Sequence, residues 1–163
     1  MLKKINEDTF NLIKHNLDCA KEKVGKELEE MKRIHNNVVE TKNKVISIGT
    51  SKHFSNTNEI LYNQLQENFA GNNMVLDCFY KFRYDVGDYA RPHYDSYSNQ
   101  TSLLLLSDEF TGGNFILDGN DMDFNEKGTF ISFDSKKQHS VSKILSGYRE
   151  VLVMLFKKKK TML

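Results

Sequence analysis

Two histidines, an aspartate and an arginine are the residues of this chain whose types and order could do chemistry together. In "RPHYDS", His93 and Asp95 stand one residue apart. With 5 histidines and 22 acidic residues among 163, roughly 0.7 His-x-acid pairs arise by chance. The pair alone is therefore uninformative, and a metal site needs a third donor from elsewhere. His15, in the helical half, His35, near the end of that helix, and His53, in a polar loop, read as surface residues. His139 is different, because it follows "GTFISFDSKKQ", where one expected strand has ended and another begins. In an extended chain, residues i and i+2 face the same way, about 7 Å apart. His93 and Asp95 can then point together into the mouth of a barrel, with His139 brought opposite them by a later strand. Two imidazoles and one carboxylate on one face of a metal leave the other face open, a donor set that suits ferrous iron or zinc.

The fourth residue is Arg149, one of only four arginines in the chain (Arg33, Arg83, Arg91 and Arg149). Along "YREVLVMLF", Arg149, Val151, Val153 and Leu155 share one face, and Glu150, Leu152 and Met154 the other. An arginine aligned with three aliphatic residues points inward. A buried guanidinium without an acid on its own strand must find a partner elsewhere, and a dicarboxylate ligand would supply one in bidentate fashion.

These residues need elements to position them. The chain changes character near residue 71. Before it, "EDTFNLIKHNLDCAKEKVGKELEEMKRIHNNV" spaces Phe10, Ile13, Leu17, Ala20, Val24, Leu28, Met31 and Ile34 at threes and fours, which predicts a long amphipathic helix that Gly25 could interrupt. "KVISIG" (44–49) predicts a strand, and "SNTNEILYNQLQENFAG" a second helix ending at Gly71. After Gly71, strands are expected over 74–85, 101–107, 112–119, 128–134, 139–145 and 148–156, with Gly, Asn and Asp in the turns. The expected class is α+β: a double-stranded β-helix (jelly-roll or cupin-like) core with N-terminal helices packed on one sheet. One domain spans 1–163, with 1–71 as helical support, 74–156 as the core and the Lys-rich 157–163 as a solvated basic tail.

Composition narrows the classes. A 39% hydrophobic and 28% charged chain is polar but globular. A net charge of +1 and the lack of a basic stripe speak against nucleic acid as partner. Cys19 and Cys78 show neither a disulfide framework nor metal spacing. The N-terminus lacks the apolar core of a signal peptide, and the longest apolar runs are far too short to span a bilayer. The expected setting is a reducing cytoplasm, where ferrous iron persists.

Taken in order, "YDVGDYARPHYD", "GGNFIL", "GTFISFD" and "HSVSKILSGYR" resemble the 2-oxoglutarate/Fe(II)-dependent dioxygenases, nearest to their prolyl 4-hydroxylase branch. The resemblance covers about residues 74–156. It implies that His93, Asp95 and His139 bind Fe(II), and that Arg149 holds the far carboxylate of the co-substrate 2-oxoglutarate with help from the Tyr84 hydroxyl. It also implies O2 as oxidant, ascorbate as an accessory reductant, and hydroxylation of a C–H bond, first of all a prolyl residue in a protein or peptide. A nucleobase, free amino acid or small metabolite is the alternative target, and a non-catalytic jelly-roll binding module the alternative role. The resemblance departs at the last strand, "VLVMLFK", which lacks the tryptophan common there. Tyr89, Arg91 and Tyr97, around "DSYSNQ", are candidate substrate contacts at the rim.

Overall fold

The computed structural model describes residues 2–19, 45–50, 56–96 and 98–160. The expected helical register through Ala20, Val24, Gly25, Leu28, Met31 and Ile34, along with His35, His53 and Tyr97, lies outside the described residues. The chain opens with a short strand, β1 (Leu2–Lys4), then helix α1 (Glu7–Cys19), strand β2 (Val45–Thr50) and helix α2 (Asn56–Phe69). Ten further strands follow: β3 (Met74–Tyr84), β4 (Ala90–His93), β5 (Gln100–Leu105), β6 (Phe110–Gly112), β7 (Phe115–Leu117), β8 (Asn120–Asp121), β9 (Thr129–Asp134), β10 (His139–Val141), β11 (Ile144–Gly147) and β12 (Arg149–Lys158).

The strands form a six-stranded sheet in the order β1-β9-β5-β12-β3-β2, a four-stranded sheet β4-β10-β7-β8 and a two-stranded ribbon β11-β6. All pairs are antiparallel. This is a double-stranded β-helix with helices on one sheet, as the pattern of elements predicts.

Two apolar layers hold it together. One fills the barrel between the sheets, with Tyr80, Phe82, Leu103, Leu105, Phe115, Phe124, Ile131, Phe133 and Val151 among its members. The other lies between the large sheet and the helices, where Phe10, Ile13 and Leu17 of α1 and Leu61, Leu65 and Phe69 of α2 meet Leu104, Leu152, Met154 and Phe156. Strand β12 serves both layers. Its odd residues enter the barrel and its even ones face the helices, because side chains alternate along a strand.

Strand β3 needs a correction of register to do the same. Its pairing with β12 skips from Leu155↔Cys78 to Phe156↔Leu76, a β-bulge at Asp77. The extra residue lets Met74 and Leu76 face the helices while Cys78, Tyr80, Phe82 and Tyr84 face the barrel. Strand β2 stops pairing at Cys78, and beyond it α2 side chains serve the backbone of β3. Gln66 accepts from Leu76 N (2.7 Å) and donates to Met74 O (2.9 Å), and Tyr62 donates to Leu76 O (2.7 Å). Helix α1 is capped by Asn6, whose Oδ1 accepts from the backbone N–H of Asp8 and Thr9 at 2.9 and 3.2 Å.

Several boundaries differ from expectation. The segment 112–119 splits into β6 and β7 at Gly113, which has φ +61. The segment 139–145 splits into β10 and β11, each joining a different sheet. Strand β12 continues through Lys157 and Lys158, paired with Val75 and Met74, so the first two residues of the expected basic tail are strand. Strand β1 was not foreseen, since three residues carry no periodic signal. Among the described residues, no helix is long and apolar enough to cross a membrane.

The turn into β12 is tight. Gly147 has φ +72, and a Cβ there would overlap the carbonyl group of Glu109. Gly147→Ala should lower the unfolding free energy by more than about 2 kcal/mol, from the left-handed strain and the backbone overlap together. Urea denaturation followed by circular dichroism measures it, and an unchanged midpoint would show that the turn can relax.

Candidate metal and co-substrate site

The small sheet brings the two histidines together. In the antiparallel pairing of β10 with β4, His139 stands directly opposite His93. Their ring centroids are 4.2 Å apart. Asp95 is not on a strand, contrary to expectation: β4 ends at His93, and the aspartate lies two residues beyond it. What replaces strand geometry is a backbone hydrogen bond, from Asp95 N to Ser135 O at 2.8 Å. The result still converges, with Asp95 Oδ2 3.6 Å from His139 Nε2. One ligand atom from each of His93, Asp95 and His139 lies within 4.8 Å of the others.

The imidazoles are oriented by the same local device. His93 Nδ1 lies 2.6 Å from Arg91 O, and His139 Nδ1 lies 3.0 Å from Lys137 O. A carbonyl can only accept, so each Nδ1 carries a proton, and in the neutral ring Nε2 is the nitrogen that presents a lone pair. His139 is packed against Phe133 (4.9 Å between centroids) and Phe115 (6.1 Å). Burial pushes its pKa below the usual histidine value, and the neighbouring His93 adds to that, while Asp95 and the Lys137 carbonyl oppose it. A neutral imidazole is the form that binds a metal. The Asp95 carboxylate accepts a hydrogen bond from Thr101 Oγ1 at 2.6 Å. Donor types and convergence fit a metal with two imidazoles and one carboxylate.

Arg149 begins β12 opposite Tyr84 at the end of β3. It is 1% exposed, the largest fully buried side chain of the described residues. Its Nε and Nη2 have no hydrogen-bond partner among the described residues. The guanidinium carbon lies 5.5 Å from the Tyr84 ring and 5.7 Å from the Phe124 ring. Phe124 meets Phe115 edge-on at 5.9 Å, and Phe115 in turn contacts His139. The cation and the histidines therefore belong to one barrel core. Gly113 leaves room for the arginine stem, since a Cβ there would come within 3.3 Å of Arg149 Cδ. Burial lowers the pKa of Arg149, with the Tyr84 phenol acting in the opposite direction. Burial also raises Tyr84 to about 12, against the pull of Arg149. Tyr84 therefore stays protonated and can donate its O–H.

Of the expected rim residues, Arg91 is exposed on β4, and Tyr89 is half-buried with Lys143 Nζ 5.8 Å from its ring centroid. Arg91 meets the cluster through its backbone, its carbonyl lying 2.6 Å from His93 Nδ1. His15 is exposed on α1, 3.8 Å from Cys19 Sγ, away from the cluster. Neither Cys19 nor Cys78 is in a disulfide. Sequence reasoning missed Thr101, Ser135 and the two carbonyls behind the histidines. Hydroxyls have no spacing rule, and a carbonyl acceptor is invisible in residue type.

No protein-family model matches the sequence, and no curated protein matches it. Solved structures do. The chain is similar to the viral collagen prolyl hydroxylase of Paramecium bursaria Chlorella virus-1 in its 2OG complex (TM-score 0.60, 13% identity, 98% of this chain and 96% of that one). It is similar to a 2OG-Fe(II) oxygenase family oxidoreductase from Burkholderia pseudomallei (TM-score 0.54, 14% identity, 83% and 82%). A Trichoplax adhaerens prolyl hydroxylase, in complex with a hypoxia inducible factor oxygen degradation domain peptide fragment, matches as well (TM-score 0.55, 13% identity, 97% and 83%). The fold is that of the 2OG-Fe(II) oxygenase structures. Within them, prolyl hydroxylases match over nearly the whole chain.

A buried cation with unmatched donors weakens the ligand-free protein. Arg149→Met, which keeps the volume and removes the charge, should leave its stability unchanged or raise it by about 1–4 kcal/mol. Denaturation of the ligand-free protein measures this. A loss above about 1 kcal/mol would mean that the guanidinium is matched within the fold.

Proposed function

We propose that the protein is a 2-oxoglutarate- and Fe(II)-dependent dioxygenase that hydroxylates a prolyl residue in a protein or peptide. The observation that carries this reading is the pairing of two features in one barrel. A His-Asp-His cluster stands at its mouth, and a fully buried arginine with unmatched donors lies deeper inside. A metal ion alone accounts for the first. A ligand carrying a carboxylate accounts for the second.

In this reading His93 and His139 bind iron through Nε2 and Asp95 through its carboxylate. Arg149 receives the far carboxylate of 2-oxoglutarate through a charge-assisted pair, and the protonated Tyr84 hydroxyl donates to the same group. Bound iron and 2-oxoglutarate supply the oxidative chemistry, in which O2 is consumed, 2-oxoglutarate becomes succinate and CO2, and a substrate C–H bond is hydroxylated. Phe115, Phe124 and Phe133 line the interior and keep water from the reacting centre. Arg149 orients the co-substrate and transfers no proton.

The peptide target rests on the structural likenesses, two of them prolyl hydroxylases and one of those bound to a peptide fragment. Tyr89 and Arg91 remain the candidate substrate contacts, with Tyr97 a third beyond the described residues. Ascorbate would serve as accessory reductant. A reducing cytoplasm suits ferrous iron.

The direct experiment supplies Fe(II), 2-oxoglutarate, ascorbate and proline-containing peptides. Succinate is measured, and one added oxygen on proline is sought by mass spectrometry. Succinate above background without peptide oxidation would retain the chemistry and remove the prolyl target. Failure to bind Fe(II) or Mn(II) would remove the reading altogether.

Arg149→Lys separates the two halves of the site. It keeps the charge and loses the fork, so 2-oxoglutarate affinity should fall on the order of tenfold to a hundredfold, while Mn(II) affinity stays within about twofold. Titration of each ligand checks this. Loss of metal binding would move Arg149 into a different role.

A further inference from the structure

A line of buried hydroxyls ends on the Asp95 carboxylate. Ser98 Oγ donates to Ser135 Oγ at 2.9 Å, Ser135 Oγ meets Thr101 Oγ1 at 2.9 Å, and Thr101 Oγ1 donates to Asp95 Oδ2 at 2.6 Å. All three side chains are buried: Ser98, Thr101 and Ser135 are 7%, 1% and 0% exposed. A hydroxyl has one proton. Thr101 gives its proton to the carboxylate, which has none to return, so in the bond between them Ser135 must be the donor. Ser135 thereby accepts from Ser98. Every O–H in the line points toward Asp95, and each bond polarises the next.

Ser135 also fixes the main chain around the carboxylate. Asp95 N donates to Ser135 O at 2.8 Å, and Ser135 N donates to Asn99 O at 3.1 Å. Thr101 is held on β5, paired with Phe133 of β9. The carboxylate lies off any strand, so neither sheet holds its side chain. Its orientation comes from this line.

We propose that Thr101, Ser135 and Ser98 are positioning residues for the metal-binding carboxylate. They form a one-way hydrogen-bond chain that holds the Asp95 carboxylate aimed at the two imidazoles before any metal arrives. The inference rests on the metal-binding reading of His93, Asp95 and His139. It goes beyond that reading by assigning metal affinity to three residues that do not touch the metal. The expected hierarchy follows from the order of the bonds: Thr101 matters most, then Ser135, then Ser98.

The test is titration of the metal-free protein with Mn(II), independent of turnover, together with the visible spectrum of the Co(II)-loaded protein. Thr101→Val keeps the shape and removes the hydroxyl, and Mn(II) affinity should fall about tenfold to a hundredfold, with a changed Co(II) spectrum. Thr101→Ser restores the donor and should return affinity to within about threefold of the parent. Ser135→Ala and Ser98→Ala should give progressively smaller losses, and Ser98→Ala tests the chain from its far end should Thr101→Val fail to fold. Equal affinity of Thr101→Val and parent would overturn the proposal, as would a Thr101→Ser variant as weak as Thr101→Val, or a Ser98→Ala variant with parental affinity and spectrum. A parent protein that binds no Mn(II) would overturn both this inference and the reading beneath it. A parent that binds, with variants that do not differ, would overturn only the inference.

Discussion

A guanidinium lies inside the barrel with two of its donors facing no acceptor among the described residues, and much of the molecule is arranged so that this is possible. An unpaired cation in an apolar interior costs several kcal/mol in protein environments, and natural cores avoid it unless something compensates. Here the surroundings are not built to neutralise it. Tyr84 and Phe124 offer ring faces at 5.5 and 5.7 Å, and Gly113 clears space for the stem. What the fold supplies instead is rigidity. Arg149 sits at the start of the longest-paired strand of the sheet, bonded to β3 on one side and followed by residues bonded to β5 on the other. The barrel core and the helix-facing layer both pack on that strand. In the proposed reading, a cation held so firmly in an apolar site serves as a preformed receptor for an anion, and the cost of leaving it unpaired is the counterpart of selectivity for its ligand.

The proposed metal end follows a different logic. There the donors are compensated in advance. Both imidazoles give their Nδ1 proton to a carbonyl two residues upstream, and the carboxylate receives a hydroxyl proton. Side chains restrained in this way lose little freedom when an ion binds. The two ends thus differ in kind: one leaves charged donors without a partner among the described residues, and the other restrains its side chains by hydrogen bonds.

How much of this could be read from the residues depends on the range of the interaction. The inward face of Arg149 was legible because strand alternation has period two and Val151, Val153 and Leu155 mark the parity. The partnership of His93 with His139 was legible as order along the chain, and the structure realises it as direct cross-strand pairing. Asp95 was placed on the right face for the wrong reason: the strand ends before it, and a hydrogen bond to Ser135 O does what strand geometry was expected to do. Strands broken at Gly113 and between β10 and β11 were illegible because their residues remain individually strand-like. The breaks arise from which sheet each piece joins, a tertiary matter. The bulge at Asp77 is of the same kind, since it corrects a parity conflict that exists only once the helices are packed.

The hydroxyl line shows why a site can be legible in its ligands and illegible in its tuning. Ligand residues are few in type and constrained in spacing, so a coincidence of several stands out against chance. Ser98, Thr101 and Ser135 are common residues on two segments far apart in the chain. They converge because β5 pairs with β9, and because the chain leaving β9 bonds back to the segment that carries Asp95. Direction in the line is set at one end only, by an anion that cannot donate. A change at Ser98, three hydrogen bonds from the carboxylate, is therefore felt through proton placement rather than through contact. That kind of influence follows from hydrogen-bond counting in the folded structure, where each hydroxyl proton can be assigned, and from nothing shorter.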